Sequence, residues 1–432
     1  MNSSNGAGVD GAKLQTSLRQ DASVIGLVSL AHAGSHFSHL LLPLMFPVFI
    51  TEFGLSYSEL GLLMTIFFVV SGFGQAASGF VVDRFGARPV LFGATGLLGL
   101  ACLLASQANG YTALMAVAAV AGLGNCPYHP IDFTIMNQRV SALRLGHAYS
   151  AHGLSGNLGW AAAPAFLAGI SALAGWRQAY LAAALLYGGL LLLLIWKRDH
   201  LHAKASRDVP AATLDARPAP APAPASLDMA TLLRQPVVWW CFAFFILSTI
   251  TLAMVQGYSV SLLKEMHGIG IEAASLTLTA YSLCAAAGML AGGFVAARFA
   301  ARSERVVASC MGVGAFFMLL CGTAWIGGLG TMVVLAATGF AVGIGGPSRD
   351  MMIKQATPKG ATGRVYGLVY SGLDIGFAIS PLIFGAFMDR GWYGAVFAGA
   401  AIALLLACAT ALTVGRRSRA PLAGMAAAPA AV

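Results

Sequence analysis

Charge is scarce in this chain: Asp, Glu, Lys and Arg make up 9% of its 432 residues, where a soluble domain carries about 25%. Cysteine is sparse as well. The seven cysteines (102, 126, 241, 284, 310, 321 and 408) lie mostly inside apolar runs, and their spacing fits neither a disulfide framework nor a zinc site. No G-x-x-x-x-G-K-[ST] loop is present, which argues against an ATP-driven pump. The opening residues lack the apolar core of a cleaved signal, so residues 1–22 are expected to be a disordered tail on the cytoplasmic side. Apolar residues are in excess instead, at 58% with a mean hydropathy of +0.77. A water-soluble fold cannot hide that surplus, so lipid must solvate most of the chain. The net charge of +9 would suggest nucleic acid in a soluble domain. Here the basic residues sit between apolar runs, which points to membrane topology and to no nucleic-acid partner.

A helix needs about 20 mainly apolar residues to cross the hydrocarbon. Twelve segments qualify: 23–50, 57–82, 89–108, 111–137, 144–172, 177–196, 236–263, 272–297, 305–326, 329–353, 362–388 and 392–414. Backbone polar groups in lipid must be satisfied within each segment, so the fold class is all-α. With the N-terminus placed inside, all of the 25 Lys and Arg residues except Arg177, Lys264 and Arg390 fall on the inner side. That asymmetry predicts both termini in the cytoplasm, in a bacterial inner membrane. Residues 197–235 are polar and include RPAPAPAPA (217–225), which reads as an extended spacer. The expected organisation is a six-helix bundle over 23–196, a cytoplasmic Pro/Ala-rich linker over 197–235, a second six-helix bundle over 236–414 and a cytoplasmic tail over 415–432.

The two bundles carry an internal repeat. GFVVDRFGAR (79–88) matches GFVAARFAAR (293–302) at seven of ten positions, offset by 214. GHAYSAHGLSGNLGWAAAP (146–164) aligns with GRVYGLVYSGLDIGFAISP (363–381) at an offset of 217, pairing Gly159 with Gly376 and Pro164 with Pro381. Parallel repeats of six helices are a recurrent transporter plan, with substrate near the midplane between them.

With twelve spans, this duplication and the turn between spans two and three, the chain resembles the major facilitator superfamily over nearly its whole length. That family's turn signature is roughly G-x-x-x-D-R-x-G-R-R. The chain supplies Gly79, Asp83, Arg84, Gly86 and Arg88 but has Ala87 at one basic position, and the second-half copy has Ala297 where the acid would fall. The resemblance implies two pseudo-symmetric six-helix bundles that expose a shared site alternately to either face. It also implies a reversible latch on the inner side.

The residues of the turn support that latch independently. Asp83, at the inner end of span two, can accept hydrogen bonds from an arginine or from a helix start across the bundle. Gly79 and Gly86 would permit close approach and a tight turn. A simpler reading keeps Arg84 and Arg88 as topology anchors. Arg349 and Asp350, near the inner end of span ten, suit either an inner gate or a boundary pair.

Ionisable groups inside spans are costly in lipid and are functional candidates by default. His32, His36 and His39 are spaced by four and three residues, which puts them on one face of span one. They could bond neighbouring helices, carry protons, bind a transition metal or meet an anionic substrate. In span four, Pro127 and Pro130 must break the helix, and Asn125, Tyr128, His129 and Asp132 cluster around the break. The G-x-G…H-P run there resembles the fosmidomycin-resistance branch of the superfamily. The arginine common in span four of family antiporters is replaced by Ala118. Span five carries Gly153, Gly156, Asn157, Gly159 and Pro164, either a packing face or a loose export signature. Asp374, the repeat-mate of Asn157, lies roughly 16 Å into span eleven, where it serves proton coupling, an ion pair or a structural hydrogen bond. Thr249, Thr251, Gln256 and Tyr258 in span seven, and Thr277, Thr279, Tyr281 and Ser282 in span eight, suit a pathway or bonds to their own helices.

The resulting expectation is a monomeric secondary transporter in the lipid bilayer. It would move a small organic molecule by alternating access, coupled to protons, with no cofactor and no resident metal. Export is favoured by the fosmidomycin-resistance resemblance. Uptake of a small organic anion is favoured by the basic and histidine content and by the missing span-four arginine. Transition-metal transport, or a membrane-embedded enzyme with His32, His36 and Asp132 as ligands, are the remaining alternatives, the last disfavoured by the repeat.

Overall fold

The computed structural model describes residues 17–141, 143–202, 234–323, 325–356 and 362–419. These form fourteen α-helices and no strand. The first eight are α1 (Leu18–His39), α2 (Phe46–Phe53), α3 (Tyr57–Phe85), α4 (Ala87–Ser106), α5 (Tyr111–Asn125), α6 (Tyr128–Arg139), α7 (Leu145–Ala174) and α8 (Trp176–Trp196). The other six are α9 (Pro236–His267), α10 (Ile271–Arg298), α11 (Ser303–Cys321), α12 (Gly327–Ala356), α13 (Thr362–Asp389) and α14 (Tyr393–Arg419). Among the described residues, eleven stretches are long and apolar enough to cross a membrane. The twelfth crossing is divided: α5 and α6 run in series, interrupted at Cys126 and Pro127 where proline removes a backbone donor. Span one is broken in the same way. Pro43 opens a short 3-10 turn, Pro43–Met45, and α2 completes the crossing.

Local chemistry sets the helix ends. Ser56 and Glu59 form a reciprocal capping box at the start of α3. Gly86 turns the chain from α3 into α4 with φ +84°, a backbone region that favours glycine. Three boundaries differ from expectation. α1 begins at Leu18, inside the segment read as a disordered tail, because the Ser17 side chain accepts from the Gln20 amide. The fully buried Asp21 then anchors that first turn: its Oδ2 accepts from Ser141 Oγ at 2.6 Å and from Arg144 Nε at 2.8 Å. Losing one partner of such a buried pair costs about 3–5 kcal/mol. α14 runs to Arg419, past the expected start of the tail at 415. Arg198–Leu201 form a short 3-10 turn at the start of the expected linker, and its Pro-Ala stretch lies outside the described residues.

The helices before residue 203 and those after 233 pack by the same plan. α1 lies on α7 as α9 lies on α13, α4 on α8 as α11 on α14, and α3 on α5 as α10 on α12. Matching glycines make matching contacts. A β-carbon at Gly159 would meet the Ala33 carbonyl, and one at Gly376 would meet the Ile246 carbonyl. Gly122 sits against the Phe67 carbonyl as Gly339 sits against that of Tyr281. With no hydrophobic drive between helices in lipid, such close backbone contact is what packs them. The two groups meet along α3 with α13 and along α7 with α10. The result is two pseudo-symmetric six-helix bundles in a multi-pass membrane protein.

Candidate substrate and proton site

The interruption between α5 and α6 turns His129 and Asp132 towards α1 and α7. Asp132 is fully buried. Its Oδ2 lies 3.0 Å from His152 Nε2 and 3.1 Å from His32 Nδ1. The His32 contact is close but lacks the alignment of a hydrogen bond, and Asp132 Oδ1 has no partner. The rings of His32 and His152 stack at 3.6 Å between centroids, and His129 stands 5.2 Å from His32. An isolated charge here would cost several kcal/mol, so a carboxylate at this place depends on the imidazoles beside it.

The His36 ring lies tilted against His32 at 4.4 Å and against Trp160 at 4.3 Å between centroids. It has room because residue 156 is glycine; a β-carbon there would fall 2.6 Å from the ring. His39 differs from its neighbours. Trp160 Nε1–H donates to His39 Nδ1 at 3.3 Å, so the proton of a neutral ring sits on Nε2, which faces Asn125 Oδ1 at 3.3 Å. Asn125 also accepts from Ser35 at 2.6 Å and donates to Ser71 at 2.9 Å. Both His39 nitrogens are therefore engaged in a closed network, whereas His32 Nδ1 and His36 Nδ1 are buried without a hydrogen bond.

Other sequence-predicted residues fall elsewhere. Tyr128 is fully buried, and its hydroxyl pairs with Thr95 of α4 at 3.0 Å rather than with the histidines. Asn157 donates to the Gly153 carbonyl of its own helix. Asp374 is half-buried against Gly72 of α3, on the seam between bundles. Thr277 and Ser282 bond their own helix, and Thr251 bonds the Ala400 carbonyl, all packing roles. Thr279 reaches across to the Ala161 carbonyl of α7. At the turn between α3 and α4, Asp83 and Arg84 are exposed and Arg88 is half-buried. Among the described residues nothing lies within 4 Å of a β-carbon placed at Gly79, while Gly86 turns the chain with φ +84°. Arg349 donates to Asp350 at 2.9 Å and lies 5.3 Å over the Phe245 ring. Tyr370 donates to the same carboxylate at 3.3 Å.

The two ends of the bundle pair differ. At the end away from Leu18, Asp389 of α13 caps α3 of the other bundle, accepting from the Tyr57 amide at 2.6 Å and the Ser58 amide at 3.0 Å. Below it, Thr65 of α3 donates to the Ala378 carbonyl of α13 across the seam, and within the second bundle Tyr258 donates to the Pro381 carbonyl. This end is sealed. Towards the other end, His129, Phe133 and Tyr149 form an exposed run of rings leading from the cluster. At the end of α3 opposite Asp83, Asp389 thus places a carboxylate on a helix start of the other bundle.

Sequence reasoning missed His152, Trp160, Asp389 and Asp21. His152 stood inside the repeated stretch 146–164 as an imidazole within an apolar span, a signal of the same kind that singled out His32.

Two six-helix bundles of like packing, hydrogen-bonded to each other at one end, have the architecture of a membrane transporter. The family model of the Major Facilitator Superfamily matches residues 28–274 and again 253–430, and the chain belongs to that family. It is 26% identical over 314 residues to the Fosmidomycin resistance protein of Escherichia coli (strain K12), covering 71% of this chain and 72% of that one. It is 24% identical over 255 residues to the Probable L-galactonate transporter of the same organism; that match spans 56% of this chain and only 54% of the relative's length. In fold it is similar to a bacterial homolog of the human lysosomal transporter Spinster, solved in an inward-facing and occupied conformation. That likeness has a TM-score of 0.70 at 13% identity and covers 93% of this chain and 97% of that one. The family and fold are those of transporters and not of enzymes.

Proposed function

We propose that the chain is a proton-coupled transporter of a small organic anion, working by alternating access. The observation that carries this reading is the separation of two chemistries between the bundles. A buried carboxylate shared by two imidazoles, Asp132 with His32 and His152, belongs to the first bundle. A half-buried guanidinium, Arg349, belongs to the second. The first suits a proton and the second an anionic group. Because they are different groups on different elements, both can be loaded at once, which favours symport and hence uptake. The name of the L-galactonate relative, a sugar-acid anion, supports the substrate class. In this reading the open end, rich in Lys and Arg, is cytoplasmic, the inner membrane is the location, and Asp83 latches that end when the cleft opens outward. A second reading, export of a small organic molecule by proton antiport, rests on the likeness to the Fosmidomycin resistance protein.

The test uses purified protein in sealed vesicles loaded with a pH indicator. Sugar acids, short sulfonates and phosphonates are added outside one at a time. Symport predicts that one class acidifies the lumen as it accumulates. Lumenal alkalinisation on addition supports antiport, and no proton movement with any transported compound rejects the coupling.

A further inference from the structure

We propose that His32, His129, His152 and Asp132 form a binding site for one divalent transition-metal ion of the zinc and cobalt class, reached from the α6 side where His129 is exposed. The site does not depend on the proposed transport function. One nitrogen from each of the three imidazoles lies within 4.8 Å of the others. Asp132 Oδ2 is 3.0 and 3.1 Å from nitrogens of His152 and His32. Zinc–nitrogen bonds of about 2.0–2.1 Å imply ligand spacings of about 3.4 Å in a tetrahedron. Ring nitrogens within 4.8 Å of one another have to close by at most about 1.4 Å to reach that spacing.

The donor set selects the ion. Three imidazoles and a carboxylate suit zinc, cobalt, nickel or copper, whereas magnesium and calcium prefer oxygen shells. Two further observations point to a ligand. Asp132 Oδ1 and His32 Nδ1 are buried polar atoms with no hydrogen bond, which is unusual in a packed interior. The misaligned His32–Asp132 contact is also what two ligands of one absent centre would show. Access is provided by His129, exposed on the α6 side while His32 and His152 are buried behind it. His39 is excluded, since both its nitrogens are engaged by Trp160 and Asn125. An ion held here takes the groups that the proposed proton site uses, so on that reading zinc also inhibits transport.

Cobalt(II) titration of the purified full chain tests the site through the visible absorption of tetrahedral cobalt. The wild type is expected to take up one equivalent with that spectrum. His129→Gln and His152→Gln are expected to weaken binding at least about ten-fold, while His147→Gln, an exposed histidine near the start of α7, leaves it unchanged. His129 is exposed, so His129→Gln should keep the metal-free melting temperature of the wild type, which separates ligand loss from misfolding. Cobalt that stays hexa-aqua with the wild type, or binding that is equal in wild type, His129→Gln and His152→Gln, overturns the proposal.

Discussion

The place that Asp132 takes in the first bundle is taken by Arg349 in the second, at the same offset of 217 that relates Gly122 to Gly339 and Gly159 to Gly376. Their surroundings diverge in parallel. His32 precedes the residue whose carbonyl packs on Gly159, and Phe245 precedes the residue whose carbonyl packs on Gly376. One duplicated scaffold thus holds an acid among imidazoles on one side and a guanidinium among Phe245, Tyr370 and Asp350 on the other. The backbone contacts that fix each bundle are conserved between the copies. The polar side chains mounted on them are not, because close backbone contact demands glycine at the matched positions and places no such demand on residues 132 and 349.

Arg349 gives the largest expected effect on this contrast. If the second bundle holds the anion, Arg349→Ala removes a charge-assisted hydrogen bond of about 1.5–3 kcal/mol. The apparent affinity for the transported anion should then fall about ten- to a hundred-fold, with Arg349→Lys recovering part of it. Unchanged affinity in Arg349→Ala would assign no anion to that side. A smaller effect tests whether both sides open onto one cleft. Asp389→Asn weakens the carboxylate on the α3 start and should favour opening of the sealed end by about five-fold. The readout is labelling of Gln256→Cys, beneath that seal among Phe46, Met64, Phe68 and Phe377, by an impermeant maleimide added from the sealed side. Labelling that does not rise would remove Asp389 from the seal.

Much of this architecture was legible in the sequence. Apolar runs of about 20 residues marked the spans, and Pro127 marked the divided crossing because it gives the helix no backbone donor, although Pro164, Pro347 and Pro381 sit inside continuous helices. The 4 and 3 spacing of the histidines put them on one face, as found. Contacts between distant segments were not legible. Nothing near Asp132 announces His152, which meets it only because α6 folds back against α7. Asp389 read as a boundary residue, since its partners are backbone amides of the other bundle, 331 and 332 residues away. Nor could spacing reveal that His39 differs from His32, which depends on Trp160 and Asn125 reaching it from two other helices.

The central claim is that Asp132 couples transport to protons, and Asp132→Asn in sealed vesicles tests it most directly. Asparagine keeps the shape and a hydrogen bond to the imidazoles but cannot exchange the proton. The account predicts that exchange of labelled for unlabelled anion persists while accumulation driven by a pH gradient falls to that of protein-free vesicles. Gradient-driven accumulation equal to that of the wild type would contradict it.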